Sequence, residues 1–282
     1  MRKFIGFFMA ATSLLGAVLG FFVRQVELNF VFHPTTGLAE PWAPQSLLTI
    51  FVSAGVVLLL LFLSLLTPKN KGLSYPQAFG NQSGASAILC LLGLGIAVFA
   101  AAGHFLEPQG QSPLGTPAFF ENIWTIAAIV SGLCLAAMPW LSKMGRNVSL
   151  LAVAPVFWLC FWLIWAHVDY ASNPVLLAYV YHLLALAFLL LSLYYIAGAA
   201  WSLLHPRRLL FCAHAAVYFT GISLADTLPF WQMLVFVCLG ATALAYALLC
   251  SAFSGGALPV NETQSSPQED WLIAKDSPPG EV

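Results

Sequence analysis

The amino-acid sequence predicts an all-α fold, a polytopic bundle of eight transmembrane helices, and two observations carry this prediction. Of the 282 residues, 60% are hydrophobic and only 7% are charged, whereas soluble domains carry about 25% Asp, Glu, Lys and Arg. The apolar residues also form long stretches, and a helix of about 20 such residues crosses a bilayer core. This composition excludes a soluble enzyme and a nucleic-acid-binding domain, and the net charge of −1 suggests no polyanionic partner.

Eight stretches of the chain have the length and composition of a membrane span, with no Asp, Glu, Lys or Arg in their middles. They must be helical, because lipid offers no hydrogen-bonding partner to a bare backbone amide. Together they form a predicted transmembrane domain over residues 1–253. The spans are Phe4–Val23, Ser46–Leu66, Gly84–Phe105, Asn122–Leu141, Val148–Trp165, Val175–Ala200, Leu209–Ala225 and Phe230–Ala252.

The first span follows Arg2 and Lys3 and is predicted to end before Arg24. A basic pair followed by an apolar run also resembles a secretory signal, with residues 15–17 as its cleavage site. The run continues to Val23, which is long for a signal. We therefore expect a retained helix, and cleavage would leave seven spans.

Proline marks the boundaries of several predicted spans, because it is poorly tolerated inside a helix and favours turns. Three dipeptides that end in proline lie between predicted spans. They are Thr67-Pro68 after the second span, Asn173-Pro174 before the sixth and His205-Pro206 after the sixth.

Two further segments are predicted to lie outside helices. Residues 106–117 are rich in Gly, Pro, Gln and Ser and indicate a loop. Residues 254–282 contain four prolines and five acids against Lys275, and they cannot bury enough apolar surface to offset the entropy of ordering. We expect this segment to be a disordered cytoplasmic tail.

The basic residues predict an orientation with both termini in the cytoplasm. With eight spans and a cytoplasmic N-terminus, nine of the ten basic residues face inward and only Arg24 lies outside, as the positive-inside rule requires. The nine are Arg2, Lys3, Lys69, Lys71, Lys143, Arg146, Arg207, Arg208 and Lys275.

Ionisable groups near the outer ends of the spans form one candidate site. Carboxylates and imidazoles at one depth could bind a divalent cation or load protons. The alternative is that these residues form no site. Acidic side chains would then be more frequent in the outer loops only because Lys and Arg are kept on the cytoplasmic side. The candidate residues are His104, Glu107, Glu121, His167, Asp169 and Asp226.

Two histidines within spans form a second candidate site. His182 follows Tyr179 by three residues, and His214 precedes Tyr218 by four, so each histidine shares a helix face with a tyrosine hydroxyl. Such a staggered path could conduct protons or line a substrate route. The alternative is that each histidine is satisfied locally and staples two helices together.

Small residues at four-residue spacing predict close helix contacts inside the bundle. We expect these contacts to be internal, and a homo-oligomer is not favoured. The six cysteines lie within spans and are interpreted as buried apolar residues, so no cofactor is predicted. The small-residue sets are Gly16 and Gly20, then Gly93, Ala97 and Ala101, then Ala128, Gly132 and Ala136.

The first outer loop, residues 24–45, is the longest ordered-looking connection, and within it residues 26–32 are predicted to form a strand or short helix at the interface. The motif at 32–38, FHPTTGL, is followed by Pro41 and Pro44, and NPVLLAYVY occupies 173–181 before Tyr194-Tyr195. These stretches resemble an uncharacterised family of polytopic membrane proteins of anaerobic Firmicutes. The resemblance implies a multi-pass protein of a bacterial plasma membrane and no known activity.

Three classes of function remain open. The first, and weakly favoured, is a small-molecule or ion permease, or the membrane subunit of one. The second is a sensor or accessory protein that binds an unidentified protein partner through the outer loop and the tail. The third is a membrane-embedded, metal-dependent enzyme, which is least favoured because no compact set of nucleophile, acid and base is visible. Apart from these, the lipid bilayer is the expected partner.

Overall fold

The computed structural model describes residues 2–31, 43–67, 73–79, 83–106, 118–171, 179–226 and 228–253, and in these ranges the chain is helical apart from turns and one isolated backbone bridge between Leu73 and Leu204. Nine helices are described there. They are α1 Arg2–Phe30, α2 Pro44–Leu65, α3 Tyr75–Phe79, α4 Ser83–Leu106, α5 Ala118–Lys143, α6 Ser149–Ala171, α7 Val180–Ala200, α8 Pro206–Ser223 and α9 Phe230–Phe253.

Seven of these helices are long and apolar enough to cross a membrane, which confirms the prediction of a multi-pass helical bundle. The two described helices outside this set are α3, which has five residues, and α8. The short helix α3 was not predicted. It is held by the hydroxyl of Tyr75, which lies 2.8 Å from the hydroxyl of Tyr246 on α9.

One end of the bundle, which we call the Arg207 end, contains the beginnings of α1 and α8 and the ends of α2 and α9. Gly6 of α1 faces Ser251 of α9 so closely that a Cβ atom would not fit. Arg207 of α8 donates from Nε and Nη2 to the carbonyl of Thr67, at 3.1 and 2.6 Å, and from Nη2 to that of Leu65, at 2.6 Å. These bonds satisfy carbonyls that a helix end leaves unpaired.

The opposite end, which we call the Arg24 end, contains the later part of α1, the end of α8 and the beginning of α9. Arg24 of α1 bonds to Asp226, which lies three residues after α8. Gly103, near the end of α4, packs against the side chain of Trp231 on α9. Helices α1 and α8 therefore run in parallel from one end of the bundle to the other.

Helix α8 lies at the centre of the bundle. Fourteen of its 18 residues are buried, and it packs most extensively against α7, α1 and α9. Its sequence begins with Pro206-Arg207-Arg208, which makes it less apolar than its neighbours. Because protein surrounds it on most sides, α8 does not need the apolar surface that a lipid-facing helix presents.

Small residues bring α1 close to α8, as the spacing of Gly16 and Gly20 predicts. A Cβ added to Gly20 would lie 2.6 Å from Cγ1 of Ile222, and one added to Gly16 would lie 3.2 Å from the ring of Tyr218. The prediction of internal packing through these glycines is therefore confirmed.

The two remaining small-residue sets pack against each other, which joins α4 to α5. A Cβ added to Gly93 would lie 2.5 Å from the backbone nitrogen of Ala136, and one added to Gly132 would lie 2.7 Å from that of Ala97. These clashes involve main-chain atoms, so no side chain can move aside to relieve them.

The clearest difference from the sequence prediction is the length of α1. The helix continues to Phe30, so the predictions that the first span ends at Val23 and that residues 26–32 form a separate strand or short helix are wrong. The physical reason is that Arg24 finds partners inside the protein and is completely buried. The outer loop therefore begins after α1, and residues 32–42 lie outside the described residues.

Other boundaries shift by a few residues. Helix α5 begins at Ala118 rather than 122, and α8 covers 206–223 rather than 209–225. Trp124 of α5 is buried beside Trp158 and Trp162 of α6. The predicted loop, apart from its first residue, and the predicted tail at 254–282 lie outside the described residues.

We expect Gly93→Ala to destabilise the protein by about 1–3 kcal/mol, because overpacking a close backbone contact forces α4 and α5 apart. The matched control is Gly55→Ala on α2, where an added Cβ meets nothing within 4 Å. Thermal unfolding in detergent measures both variants. Equal midpoints for the two variants would contradict the close contact between α4 and α5.

Candidate functional site

A buried cluster of three charged side chains lies at the Arg24 end of the bundle. Arg24 donates from Nη1 to Oε2 of Glu27 at 2.9 Å and from Nε to Oδ1 of Asp226 at 3.1 Å. The exposed fractions of the three residues are 0%, 2% and 7%. We call these residues the ion triad. Charges so far from water are stable only when they are paired and hydrogen-bonded.

The ion triad connects three parts of the chain. Arg24 and Glu27 lie three residues apart on one face of α1, and Asp226 comes from the connection between α8 and α9. The guanidinium carbon of Arg24 lies 5.0 Å from the ring centre of Tyr181 on α7, a cation–π distance. Gln25 adds a longer bond of 3.4 Å to the carbonyl of Ala225.

The charges of the ion triad do not balance, because one guanidinium faces two carboxylates. Oδ2 of Asp226 is buried and has no hydrogen-bonding partner among the residues the structure describes. Burial raises the pKa of the Asp226 carboxyl to about 6, Arg24 opposes this rise and Glu27 reinforces it. The Asp226 carboxyl therefore gains a proton more readily than an ordinary aspartate does.

Polar side chains continue from the ion triad into the interior of the bundle. The hydroxyl of Tyr218 on α8 donates to Oγ of Ser53 on α2 at 3.0 Å, and the side chain of Tyr181 lies near the same serine. One turn before Tyr218, Nδ1 of His214 lies 3.2 Å from Oγ of Ser13 on α1. We call Ser13, Ser53, Tyr181, His214 and Tyr218 the polar seam.

Of the two histidines in the predicted path, His214 contacts other polar side chains and His182 packs against aromatic rings. His214 and Tyr218 belong to the polar seam, and Tyr179 is half-buried at the start of α7. The ring of His182 instead stacks on Phe236 of α9, with centroids 4.9 Å apart, and meets the edge of Trp162 on α6. His182 therefore joins α7 to α6 and α9, and conduction through both histidines stays a prediction.

The outer candidate residues are found in different surroundings. His104 and Glu121 are half-buried on α4 and α5, and His167 is exposed on α6. Glu107 and the side chain of Asp169 lie outside what the structure describes, and Asp226 belongs to the ion triad. Among the described residues, no three His, Cys, Asp or Glu side chains lie close enough to hold a metal ion. The larger metal cluster stays a prediction.

Sequence reasoning missed Arg24 and Glu27, although a signal for them was present. The two residues lie three apart in a stretch that is otherwise apolar from 4 to 23 and again rich in apolar residues to 32. Extending the helix by two turns places both on one face, pointing in the same direction. Their distant partner Asp226 and the roles of Ser53 and Tyr181 depend on tertiary packing.

Comparison of the chain with protein-family models, curated proteins and solved structures finds no match. The resemblance drawn from residues 32–38 and 173–181 therefore stays a prediction. The chemistry of the site has to be argued from its own geometry.

We expect Arg24→Met to destabilise the protein by about 3–5 kcal/mol, because it leaves two carboxylates buried without their cation. The triple variant Arg24→Met, Glu27→Leu, Asp226→Leu removes every charge and should recover most of this loss, since apolar side chains can replace a buried ion cluster. Thermal unfolding in detergent compares the two. A triple variant less stable than the single variant would contradict this account of the ion triad.

Proposed function

We propose that the protein is a small-molecule or ion permease, or the membrane subunit of one, and that its ion triad and polar seam form the binding site. The observation that carries the proposal is the unbalanced, buried charge of the ion triad. An ionisable group inside a membrane bundle is costly to maintain and typically marks an ion or substrate pathway. The polar seam extends this site toward the middle of the bundle.

The proposal includes eight crossings, with α8 as the seventh of them. Arg207 near the beginning of α8 bonds to the end of α2, and Asp226 just after α8 bonds to α1 at the opposite end of the bundle. These two contacts support a helix that extends through the whole thickness of the bundle. Its modest hydropathy agrees with its central, protein-enclosed position.

The proposed orientation places the Arg207 end in the cytoplasm and the Arg24 end outside, in a bacterial plasma membrane. Lys143 and Arg146 flank the end of α5, and Arg207 and Arg208 begin α8. In an up-and-down bundle of eight spans these four residues share one face of the membrane. Their basic charge supports a cytoplasmic location by the positive-inside rule.

A permease explains the described residues better than the two other classes. A sensor or accessory protein would act through the outer loop and the tail, but Arg24 and Glu27 turn from the predicted loop into the bundle interior. An enzyme would need nucleophile, acid and base within reach of a substrate. The ion triad instead combines one cation with two carboxylates, and the negative charge left over suits reversible binding of a cation or proton.

We expect charge-displacement currents when the purified protein is reconstituted in liposomes on a solid-supported membrane. The probes are pH jumps and a panel of Na⁺, K⁺, ammonium, amino acids and monocarboxylates, applied one at a time. Wild type should respond to at least one probe. The charge-free triple variant, which should still fold, should give no current, and Glu269→Gln in the predicted tail should respond as wild type does.

Two outcomes of this experiment contradict the permease. One is the absence of current with every probe, alone and combined with a pH jump. The other is a current of equal size in the charge-free triple variant, because the ion triad would then have no part in it.

We expect cysteines introduced as Lys143→Cys and Arg207→Cys, in a background without the six native cysteines, to react with a membrane-impermeant maleimide from the cytoplasmic side only. This follows from eight crossings, in which the end of α5 and the beginning of α8 face the same compartment. Labelling of the two positions from opposite sides of oriented vesicles would contradict the proposed topology. A cysteine at Asn147, which lies between α5 and α6, serves as a further cytoplasmic reference.

A further inference from the structure

We propose that the ion triad binds one exchangeable proton and that the Asp226 carboxyl carries it. This inference rests on the proposed function in that it names the ion taken up by the same site. The step is simple in its chemistry, because the carboxylate of Asp226 forms an O–H bond with a proton taken from water and nothing else is broken. The first argument is the count of charges.

Within the part of the chain that the structure describes, the three buried groups, one positive and two negative, carry a net charge of −1. A buried net charge is strongly disfavoured, so a neutral state of the cluster is preferred. Addition of a single proton produces that state while Arg24 remains charged and keeps its hydrogen bonds to Glu27 and Asp226. Two carboxylates that share a site in this way push one carboxyl pKa upward.

The hydrogen bonds of the ion triad indicate which oxygen receives the proton. Oε2 of Glu27 and Oδ1 of Asp226 already accept hydrogen bonds from Arg24. Oδ2 of Asp226 is buried and unpartnered among the described residues. It is therefore the oxygen at which an O–H group disturbs no existing bond.

Among the described residues, the charged and titratable groups that face Asp226 come from α1 and α7. Arg24 and Glu27 face it from α1, and Tyr181 faces the same cluster from α7. On α8, Tyr218 lies two turns earlier and bonds to Ser53 of α2. The first two turns of α9, residues 230–237, contain no ionisable side chain.

A proton fits this site better than a metal cation does. Metal cations such as Ca²⁺ and Mg²⁺ need six or more oxygen ligands at short distances. Here Arg24 lies between the two carboxylates and occupies one oxygen of each, so a second full positive charge would meet a guanidinium at close range. A proton needs only one oxygen and becomes part of a neutral carboxyl group, so it places no second cation beside the guanidinium.

The polar seam begins at Tyr181, whose ring lies against Arg24, and leads from the ion triad toward the interior of the bundle. The hydroxyl of Tyr218 bonds to Ser53 and the side chain of Tyr181 lies near the same serine, so three hydroxyl groups lie close together between the ion triad and the region of His214. Hydroxyl groups both donate and accept hydrogen bonds. The seam can therefore hand a proton onward by reorientation of its O–H groups.

The test is an infrared pH titration of the full chain in lipid between pH 4 and pH 8, which follows the C=O stretch of protonated carboxylic acids. Because the pKa of the Asp226 carboxyl is raised, the band should be present at low pH and should disappear as the pH rises through about 6. Asp226→Asn should abolish this component. Glu269→Gln, which alters a carboxyl in the predicted tail, should leave it unchanged.

A second variant tests the count of charges directly. Glu27→Gln makes the ion triad neutral without any added proton, so the midpoint of the Asp226 band should fall by about one pH unit or more. An unchanged midpoint would overturn the proposal. So would a titrating band that persists in Asp226→Asn, or the absence of any titrating carboxyl band in wild type.

Replacing Na⁺ by N-methylglucamine at constant pH separates proton binding from binding of a metal cation. A midpoint that does not depend on Na⁺ supports the proton, and a band that titrates only without Na⁺ overturns it in favour of a cation site. The titration needs no transport. A titrating Asp226 band without currents would reject the permease alone, and currents without such a band would reject the proton site alone.

Discussion

Burial of one guanidinium between two carboxylates determines the structure of the Arg24 end. Because Arg24 cannot leave the protein interior without separating Glu27 and Asp226 from their cation, α1 must remain helical for two turns beyond its purely apolar stretch. The same bonds hold the connection after α8 against α1 and place Tyr181 of α7 over the guanidinium. One electrostatic requirement thus fixes three chain segments relative to one another.

The packing of the bundle follows from a different constraint, which is how closely two helix backbones can approach in lipid. The hydrophobic effect gives little preference for helix contact over lipid contact there, so small residues and van der Waals packing decide which helices meet. Gly93 against α5 and Gly20 against α8 are such positions. Close packing of α1 on α8 also brings Ser13 within hydrogen-bonding distance of His214, which connects the packing to the polar seam.

Much of the fold could be predicted from the sequence, because hydropathy and small-residue spacing are local properties. The ion triad could not, because Asp226 lies about 200 residues from Arg24 and an arginine normally signals the end of a span. The two residues Tyr181 and His182 show a second limit. Neighbours on a helix point about 100° apart, and only the packing decides that the tyrosine faces the charges while the histidine stacks on Phe236.

The enclosed position of α8 has a consequence for the biosynthesis of the protein. A segment that begins with two arginines and is covered by other helices gains little from partitioning into lipid by itself as it leaves the translocon. In the proposed topology its insertion depends on α1, α7 and α9 gathering around it, so nascent chains that stop before residue 230 should hold this segment less firmly in the bilayer. In that topology, we expect α8 and α9 to enter the bilayer together rather than independently.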